Sequence, residues 1–160
     1  MSADWPVTHR RCNLSKGPIA GSLFIKLLNL DHVGIAVHDL DHTLDEYRIK
    51  YGVTPLYRET VSSQGVEEAM IPLGGSFIQL LRPLGPDTPV GRFLDTRGEG
   101  VHHLAYAVAD IEAALGHLKA QGASLVDSEA RPGGGGTRIA FVHPRDLAGT
   151  LIELVEPSDD

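Results

Sequence analysis

The sequence predicts an α+β fold in which two copies of a β-α-β-β-β module form one curved, eight-stranded mixed sheet with a cleft. The first observation behind this prediction is an internal repeat, because the segment DHVGIAVHDL at 31–40 returns as HHLAYAVADI at 102–111. The second observation is that each copy closes on an apolar strand with one polar residue, FIQLL at 77–81 and LIELV at 151–155. A repeat of this kind predicts a symmetric fold before any single motif does.

The first copy begins with an apolar, β-branched strand at 30–37 and continues into a helix. Asp39 is a favourable N-cap for a helix that runs through Tyr51, and Gly52 ends it. Turn signals at 62–65 and at 74–75 then separate strand-like runs. Those three runs are 54–62, 66–72 and 76–82.

The second copy repeats this order of elements. We expect a strand at 101–108 and a helix from about 110 to 121 that Gly122 closes. Three further strands are expected near 123–127, 137–142 and 150–156. Residues 84–98 are proline-rich and link the copies, with a candidate helical turn at 92–94.

Together these elements indicate one pseudo-symmetric domain. The predicted domain spans 28–157, with modules at 28–83 and 99–157, and residues 1–27 form an N-terminal extension that we expect to be flexible. Each predicted helix carries one apolar stripe, which would pack both helices on the same face of the sheet and leave the opposite face free for a cleft. The stripes are Leu40, Leu44 and Tyr47 in the first copy and Ile111, Leu115 and Leu118 in the second.

The two histidine-bearing strands share a size pattern. Side chains alternate between the faces of a strand, so His32 shares its face with Gly34 and Ala36. In the second copy His103 shares its face with Ala105, and again the face is small. We expect these small residues to leave room for a ligand.

Composition narrows the class of partner. The chain has 160 residues, 42% hydrophobic residues and a formal net charge of −7, and its 14 Lys and Arg residues are not gathered in a run. Nucleic acid and an anionic membrane surface are therefore unfavourable partners, and a small-molecule substrate is expected. The lone Cys12 excludes an internal disulfide framework, which fits a cytoplasmic protein. The basic residues within 1–27 leave a transit peptide to the mitochondrial matrix as the alternative.

Four polar residues recur in duplicated register and suggest a metal site. Each copy supplies one imidazole and one oxygen ligand, and a buried polar group on an apolar strand needs a partner. A single such residue would be interpreted as structural, but four in matching positions favour a shared role. The predicted ligands are His32, Gln79, His103 and Glu153.

The remaining histidines lack this duplicated register. His102 is interpreted as structural or as a support for the site. The others are expected at the surface or in loops: His38, His42, His117 and His143.

With these motifs, the duplication resembles the vicinal oxygen chelate superfamily, which includes glyoxalase I, extradiol dioxygenases and the methylmalonyl-CoA epimerases. The segments QGVEEAM at 64–70 and FVHPRDLAGTLIEL at 141–154 are most similar to the epimerases. The similarity covers about residues 28–157. It implies the glyoxalase fold.

The resemblance also implies a chemistry. An epimerase interconverts (R)- and (S)-methylmalonyl-CoA, an acyl-CoA of propionate metabolism, by removing the α-proton and returning one through an enolate. It implies one divalent metal ion per subunit, with Co²⁺ first and Mn²⁺, Ni²⁺ or Zn²⁺ as alternatives. The two carboxylates would be Glu68, three residues after Gly65, and Glu153, which would also bind the metal. Alternation places Glu67, the nearest competitor of Glu68, on the opposite face.

Other functions stay open at this point. A glyoxalase I-type lyase would use a similar set of metal ligands but would not need Glu68. A metal-free small-molecule-binding protein of the same fold would need neither the metal ligands nor Glu68. A ring-cleaving dioxygenase fits less well because Gln79 adds a fourth ligand. The open edges of the sheet predict a homodimer. CoA phosphates would need cations near the cleft, and five unranked arginines are candidates, each of which is otherwise interpreted as a solvated surface residue: Arg58, Arg82, Arg131, Arg138 and Arg145.

Overall fold

The α+β architecture is confirmed by the computed structural model, which describes residues 25–158. One mixed sheet of eight strands curls around a cleft, and three α-helices accompany it. The strands are β1 (Leu27–Ala36), β2 (Tyr57–Val61), β3 (Val66–Leu73), β4 (Ser76–Pro83), β5 (Gly100–Val108), β6 (Arg131–Pro132), β7 (Arg138–Val142) and β8 (Ile152–Glu156). The helices are α1 (Leu40–Tyr51), α2 (Pro89–Arg97) and α3 (Ile111–Ala120).

The predicted N-terminal extension, 1–27, lies almost wholly outside the described residues, and a transit peptide within it would lie there too. The boundaries of the predicted domain and of its two modules stay predictions. Within 25–158, the helices are too short or too polar to cross a membrane.

The strand order shows the duplication directly. It reads β2-β3-β4-β1-β5-β8-β7-β6, so the two copies are arranged as mirror-ordered halves that meet at β1 and β5. Each copy pairs its first strand in parallel with its last, β1 with β4 and β5 with β8, whereas β1 and β5 pair antiparallel. The antiparallel centre brings His32 opposite Ala105 and His103 opposite Gly34. The histidines of the two copies are therefore neighbours.

The helices begin as the sequence predicts. The side chain of Asp39 accepts a hydrogen bond from the backbone N–H of His42 at 2.9 Å, and Asp110 accepts one from Ala113 at 2.8 Å. Each carboxylate satisfies an N–H that the first helical turn leaves free. Gly52 ends α1 in the left-handed region at φ 69°, where a Cβ would be strained.

Alternation along the strands separates a packed face from a cleft face. On β3, Ala69 and Ile71 pack in the cluster beneath α1, while Glu68 lies on the other face. On β8, Ile152 and Leu154 pack beneath α3, while Glu153 faces inward. The two-residue period thus puts apolar side chains under the helices and polar ones into the cleft.

Three expected elements differ from the structure. The strand expected at 54–62 is limited to β2, and the helical turn expected at 92–94 is the nine-residue helix α2. The strand expected at 123–127 is wrong, because this segment makes only an isolated bridge from Leu125 to Val142. The carboxylate of Asp127 accepts the N–H of Phe141 at 2.9 Å and so takes the place of a ladder partner. The sixth strand is instead the short β6.

We expect the first residues of α1 and α3 to contribute equally to stability, because each is buried at the equivalent place in its copy. Leu40 is 1% exposed and Ile111 is 0% exposed. Leu40→Ala and Ile111→Ala should each lower the free energy of unfolding by about 2–5 kcal/mol. Denaturant unfolding measures this, with Ile49→Ala on the exposed side of α1 as the matched control. A loss below about 1 kcal/mol in one core variant but not in the other would contradict the equivalence.

Candidate metal centre and active site

Three of the predicted ligands meet at the centre of the sheet. His32 lies on β1, His103 on β5 and Glu153 on β8, and all three are buried. The Oε2 atom of Glu153 lies 3.1 Å from Nε2 of His32 and 2.9 Å from Nε2 of His103. The two Nε2 atoms lie 3.1 Å apart. One carboxylate oxygen and two imidazole nitrogens therefore converge on one point.

Gln79, the fourth predicted ligand, lies on β4 and faces a cavity beside this cluster. Its amide nitrogen donates a hydrogen bond to Oε2 of Glu68 at 2.9 Å. Its carbonyl oxygen Oε1 is buried and has no hydrogen-bond partner. The cavity, of about 180 Å³, is also lined by His32, Glu68 and Glu153.

These donors fit a divalent metal ion. Nitrogen and oxygen ligands bind such ions at about 2.0–2.2 Å, which places neighbouring ligand atoms about 3 Å apart, as the three converging atoms are. Oε1 of Gln79 is a buried acceptor without a hydrogen-bond partner, and a buried polar atom of this kind needs a partner. The cluster of His32, His103 and Glu153 on this fold is therefore suited to hold a divalent metal ion.

The electrostatics of the cluster depend on one buried anion. Burial raises the pKa of Glu153, but the hydrogen bonds and charges of His103 and His32 outweigh it and lower the pKa to about 2. Burial lowers the pKa of His32, whereas Asp31 and Glu153 raise it, and the result is a pKa of about 9. The ionised carboxylate therefore requires a positive charge beside it, which a proton or a cation supplies.

Glu68 lies across the cavity in a different environment. It is 0% exposed, and its Oε1 atom has no hydrogen-bond partner. Burial, followed by the charges of Glu59 and Glu153, raises the pKa of Glu68 to about 7. Glu67 points to the opposite face, where it accepts hydrogen bonds from Arg58 and Arg82. A carboxyl group with a pKa near neutrality can both take up and release a proton.

A glycine turn from the second copy covers Glu68. A Cβ on Gly134 would lie 2.2 Å from Oε1 of Glu68, so only glycine permits this approach. The turn is fixed by Glu59, whose Oε1 accepts the N–H of Gly135 at 2.8 Å. Glu59 was missed from sequence, although the 62–65 turn sets a hairpin register that pairs it with Glu68. The turn closes the cavity above the carboxylate.

The small residues beside the histidines serve a different purpose from the one expected. A Cβ on Gly34 would lie 2.2 Å from Cε1 of His103. The space at Gly34 is therefore filled by the imidazole of His103 rather than left for a ligand. Ala105 is 0% exposed and packs with Ile139 and Phe141.

The remaining polar candidates divide by location. His102 lies beside the site, with its Nδ1 atom 2.9 Å from Nδ1 of His103. Within residues 25–158, His38, His42 and His143 are exposed and His117 is half-buried, as expected for surface and loop positions. Of the five candidate arginines, Arg131 lines a second cavity of about 210 Å³ together with His102 and His103. Arg131 also pairs with Asp127 at 3.3 Å. Arg58, Arg82 and Arg138 are held in ion pairs, and Arg145 donates to Ser124.

Comparison with known proteins agrees with this arrangement. Residues 31–141 match the model of the glyoxalase/bleomycin resistance protein/dioxygenase superfamily. The ethylmalonyl-CoA/methylmalonyl-CoA epimerase of Cereibacter sphaeroides is 39% identical over 127 residues, which cover 78% of this chain and 95% of that protein.

Two solved structures are also similar. A variant of the Streptomyces coelicolor methylmalonyl-CoA epimerase in complex with 2-nitronate-propionyl-CoA has 41% identity and a TM-score of 0.81, covering 84% of this chain and 97% of that chain. The methylmalonyl-CoA epimerase of Mycobacterium tuberculosis has 41% identity and a TM-score of 0.80, covering 88% of this chain and 93% of that chain. The chain therefore belongs to the glyoxalase/bleomycin resistance protein/dioxygenase superfamily, and within it to the family of the methylmalonyl-CoA epimerases.

Proposed function

We propose that this protein is a methylmalonyl-CoA epimerase that interconverts the (R) and (S) forms of its substrate. One observation carries the proposal. Glu68, a buried carboxyl group with a raised pKa, lies across one cavity from the His32, His103 and Glu153 cluster. The related epimerases, two of them with solved structures, support it. The reaction needs a group that removes a proton from the α-carbon and stabilisation of the charge left behind, and the cavity brings both together.

We further propose that His32, Gln79, His103 and Glu153 hold one divalent ion per subunit. Two imidazoles with two oxygen donors allow Co²⁺, Mn²⁺, Ni²⁺ or Zn²⁺, and Co²⁺ is the ion we propose first. When bound, the ion supplies Lewis-acid stabilisation of the negative charge that develops on the thioester oxygen.

The two carboxylates divide the proton transfer. Glu68 takes the proton from one face of the α-carbon, and the electron pair passes into the enolate. Glu153, which must itself carry a proton at this point, gives that proton to the opposite face and is left ionised, and the reverse reaction exchanges the roles. The raised pKa of Glu68 favours uptake, whereas the lowered pKa of Glu153 favours release. The glycine turn over Glu68 keeps water from the carboxylate during this exchange.

The two alternative functions leave parts of the site unexplained. A glyoxalase I-type lyase has no need for a second buried carboxylate at Glu68, and a metal-free binding protein has no need for the converging cluster.

Arg131, beside the second cavity, is the cation we propose for the CoA end of the substrate. We also propose a homodimer, because Leu27, Leu28 and Leu30 at the start of β1 are 37–50% exposed and need a cover.

Hydrogen exchange on the substrate tests the function. Methylmalonyl-CoA incubated with the protein in deuterated water should gain deuterium at the α-carbon well above the rate of an enzyme-free control, because every turnover returns a proton from the solvent pool. Mass spectrometry measures the incorporation. A chelator should abolish the excess and added Co²⁺ should restore it. Incorporation at the control rate by protein that contains metal would refute the epimerase proposal.

Glu68→Gln should remove proton transfer without removing the metal. The amide keeps the size of the side chain but cannot take up a proton, so the rate of epimerisation should fall by about 10²–10⁴-fold. The Co²⁺ content should stay the same, because Glu68 is not among the proposed ligands. Glu67→Gln, on the neighbouring residue and opposite face, is the control and should keep its activity. Full activity of Glu68→Gln would exclude Glu68 as the base.

The raised pKa of Glu68 also predicts a pH-dependent stability of the metal-free protein. The folded state holds this proton up to a pH of about 7, whereas the unfolded chain releases it near 4.5, so ionised Glu68 destabilises the fold as pH rises through that window. Glu68→Gln should therefore match the wild type at pH 4.5 and exceed it at pH 8 by at most about 3 kcal/mol. Urea unfolding at both pH values measures the difference. An equal difference in the free energy of unfolding between Glu68→Gln and the wild type at both pH values would contradict the raised pKa.

A further inference from the structure

We propose that Asp31 and His102 are positioning residues, each of which orients the metal-ligating histidine that follows it in the chain. The inference rests on the metal site of the proposed function and extends it to the residues that hold the rings. Neither residue belongs to the ligand set or to the proposed proton-transfer pair. A β-bulge in each copy carries the argument.

The first bulge is in β1. Leu30 pairs with Tyr106 of β5, and His32 pairs with Ala105. Two steps along β1 therefore correspond to one step along β5, and Asp31 is the extra residue. In a regular strand neighbouring side chains point to opposite faces, but a bulge turns two successive side chains toward the same side. Asp31 accordingly lines the cavity together with His32.

The second bulge is in β5 and reverses the roles of the strands. Gly34 pairs with His103, and Ile35 pairs with Val101. One step along β1 now corresponds to two steps along β5, and His102 is the extra residue. The duplicated sheet thus carries one bulge immediately before each of its two central histidines.

The bulges bring matching atoms together. Oδ1 of Asp31 lies 2.8 Å from Nδ1 of His32, and Nδ1 of His102 lies 2.9 Å from Nδ1 of His103. On the other side of each ring, Nε2 faces Oε2 of Glu153. In both copies the residue before the histidine contacts Nδ1 of the ring, while Nε2 points at the carboxylate of Glu153.

This geometry sets the tautomer that metal binding requires. A ring that binds a cation through Nε2 must carry its proton on Nδ1, and that proton needs an acceptor. Asp31 offers a carboxylate oxygen to His32. His102 offers the lone pair of Nδ1 to His103, which requires that its own proton lie on Nε2.

The two supports are not equal. Asp31 is an anion, which holds the ring and also increases the electron density that His32 offers to a cation. His102 is a neutral acceptor, and its ring is fixed by an edge contact with Phe93 of α2 at a centroid distance of 5.0 Å. His32 is therefore the stronger of the two nitrogen donors, and loss of Asp31 should weaken metal binding more than loss of His102.

Co²⁺ binding to purified, metal-depleted full-length protein tests the inference. Asp31→Ala and His102→Phe should each raise the Kd for Co²⁺ by about 10–100-fold, with the larger effect for Asp31→Ala. His102→Asn places an amide oxygen near the position of Nδ1 and should restore most of the affinity. Asp31→Asn keeps an acceptor but loses the charge, so its Kd should fall between those of the wild type and Asp31→Ala. The visible spectrum of bound Co²⁺ should shift in the weakened variants.

The controls separate positioning from general damage. Asp95→Ala and His38→Ala remove the same side-chain types from exposed positions and should leave the Kd unchanged. Circular dichroism identifies any variant that fails to fold, and if His102→Phe does, His102→Asn, Asp31→Ala and Asp31→Asn still decide the question. An unchanged Kd for Asp31→Ala, or equally weak binding by His102→Asn and His102→Phe, would overturn the inference. Because no substrate is present, failure of the epimerase proposal would leave these Kd differences intact.

Discussion

The whole arrangement depends on one buried anion, the carboxylate of Glu153, held between two imidazoles. Removing such a group from water is costly unless charges or hydrogen bonds compensate it. The antiparallel pairing of β1 with β5 brings a histidine from each copy to the same oxygen, at 3.1 Å and 2.9 Å. The pairing of β1 with β5 therefore does more than form backbone hydrogen bonds, because it also places the two imidazoles that stabilise the carboxylate.

The rest of the domain isolates that centre from the packed core. Each strand presents apolar residues to the helices and polar ones to the cleft, so Ile71 and Glu68 occupy the same strand without conflict. The same separation gives two carboxyl groups in one cavity opposite behaviour. Glu153 is surrounded by positive partners and releases a proton readily, whereas Glu68 meets burial and further carboxylates and holds a proton up to a pH of about 7. Pairs of groups whose environments drive their pKa values apart are suited to acid and base chemistry.

The sequence was sufficient for the features that depend on local pattern and on the repeat. The helix starts follow from the residue types at Asp39 and Asp110. The recurrence of one histidine and one oxygen ligand in each copy follows from the repeat, and the opposite orientations of Glu67 and Glu68 follow from strand alternation. Features set between distant segments were not accessible. The bulge at Asp31 depends on the register between β1 and β5. The approach of Gly134 to Glu68 depends on a turn from the other copy. The loss of the strand at 123–127 depends on the carboxylate of Asp127.

The glycine turn at 133–136 has a consequence for the duplication itself. Two identical halves can build the symmetric part of the cavity, one histidine and one strand-borne oxygen ligand each. They cannot build a site with one covered carboxylate, because Glu68 belongs to the first copy and the turn above it to the second. The asymmetry that proton transfer across a carbon requires is therefore available only to a chain whose two copies are free to diverge. Joining both halves in one chain gives them that freedom.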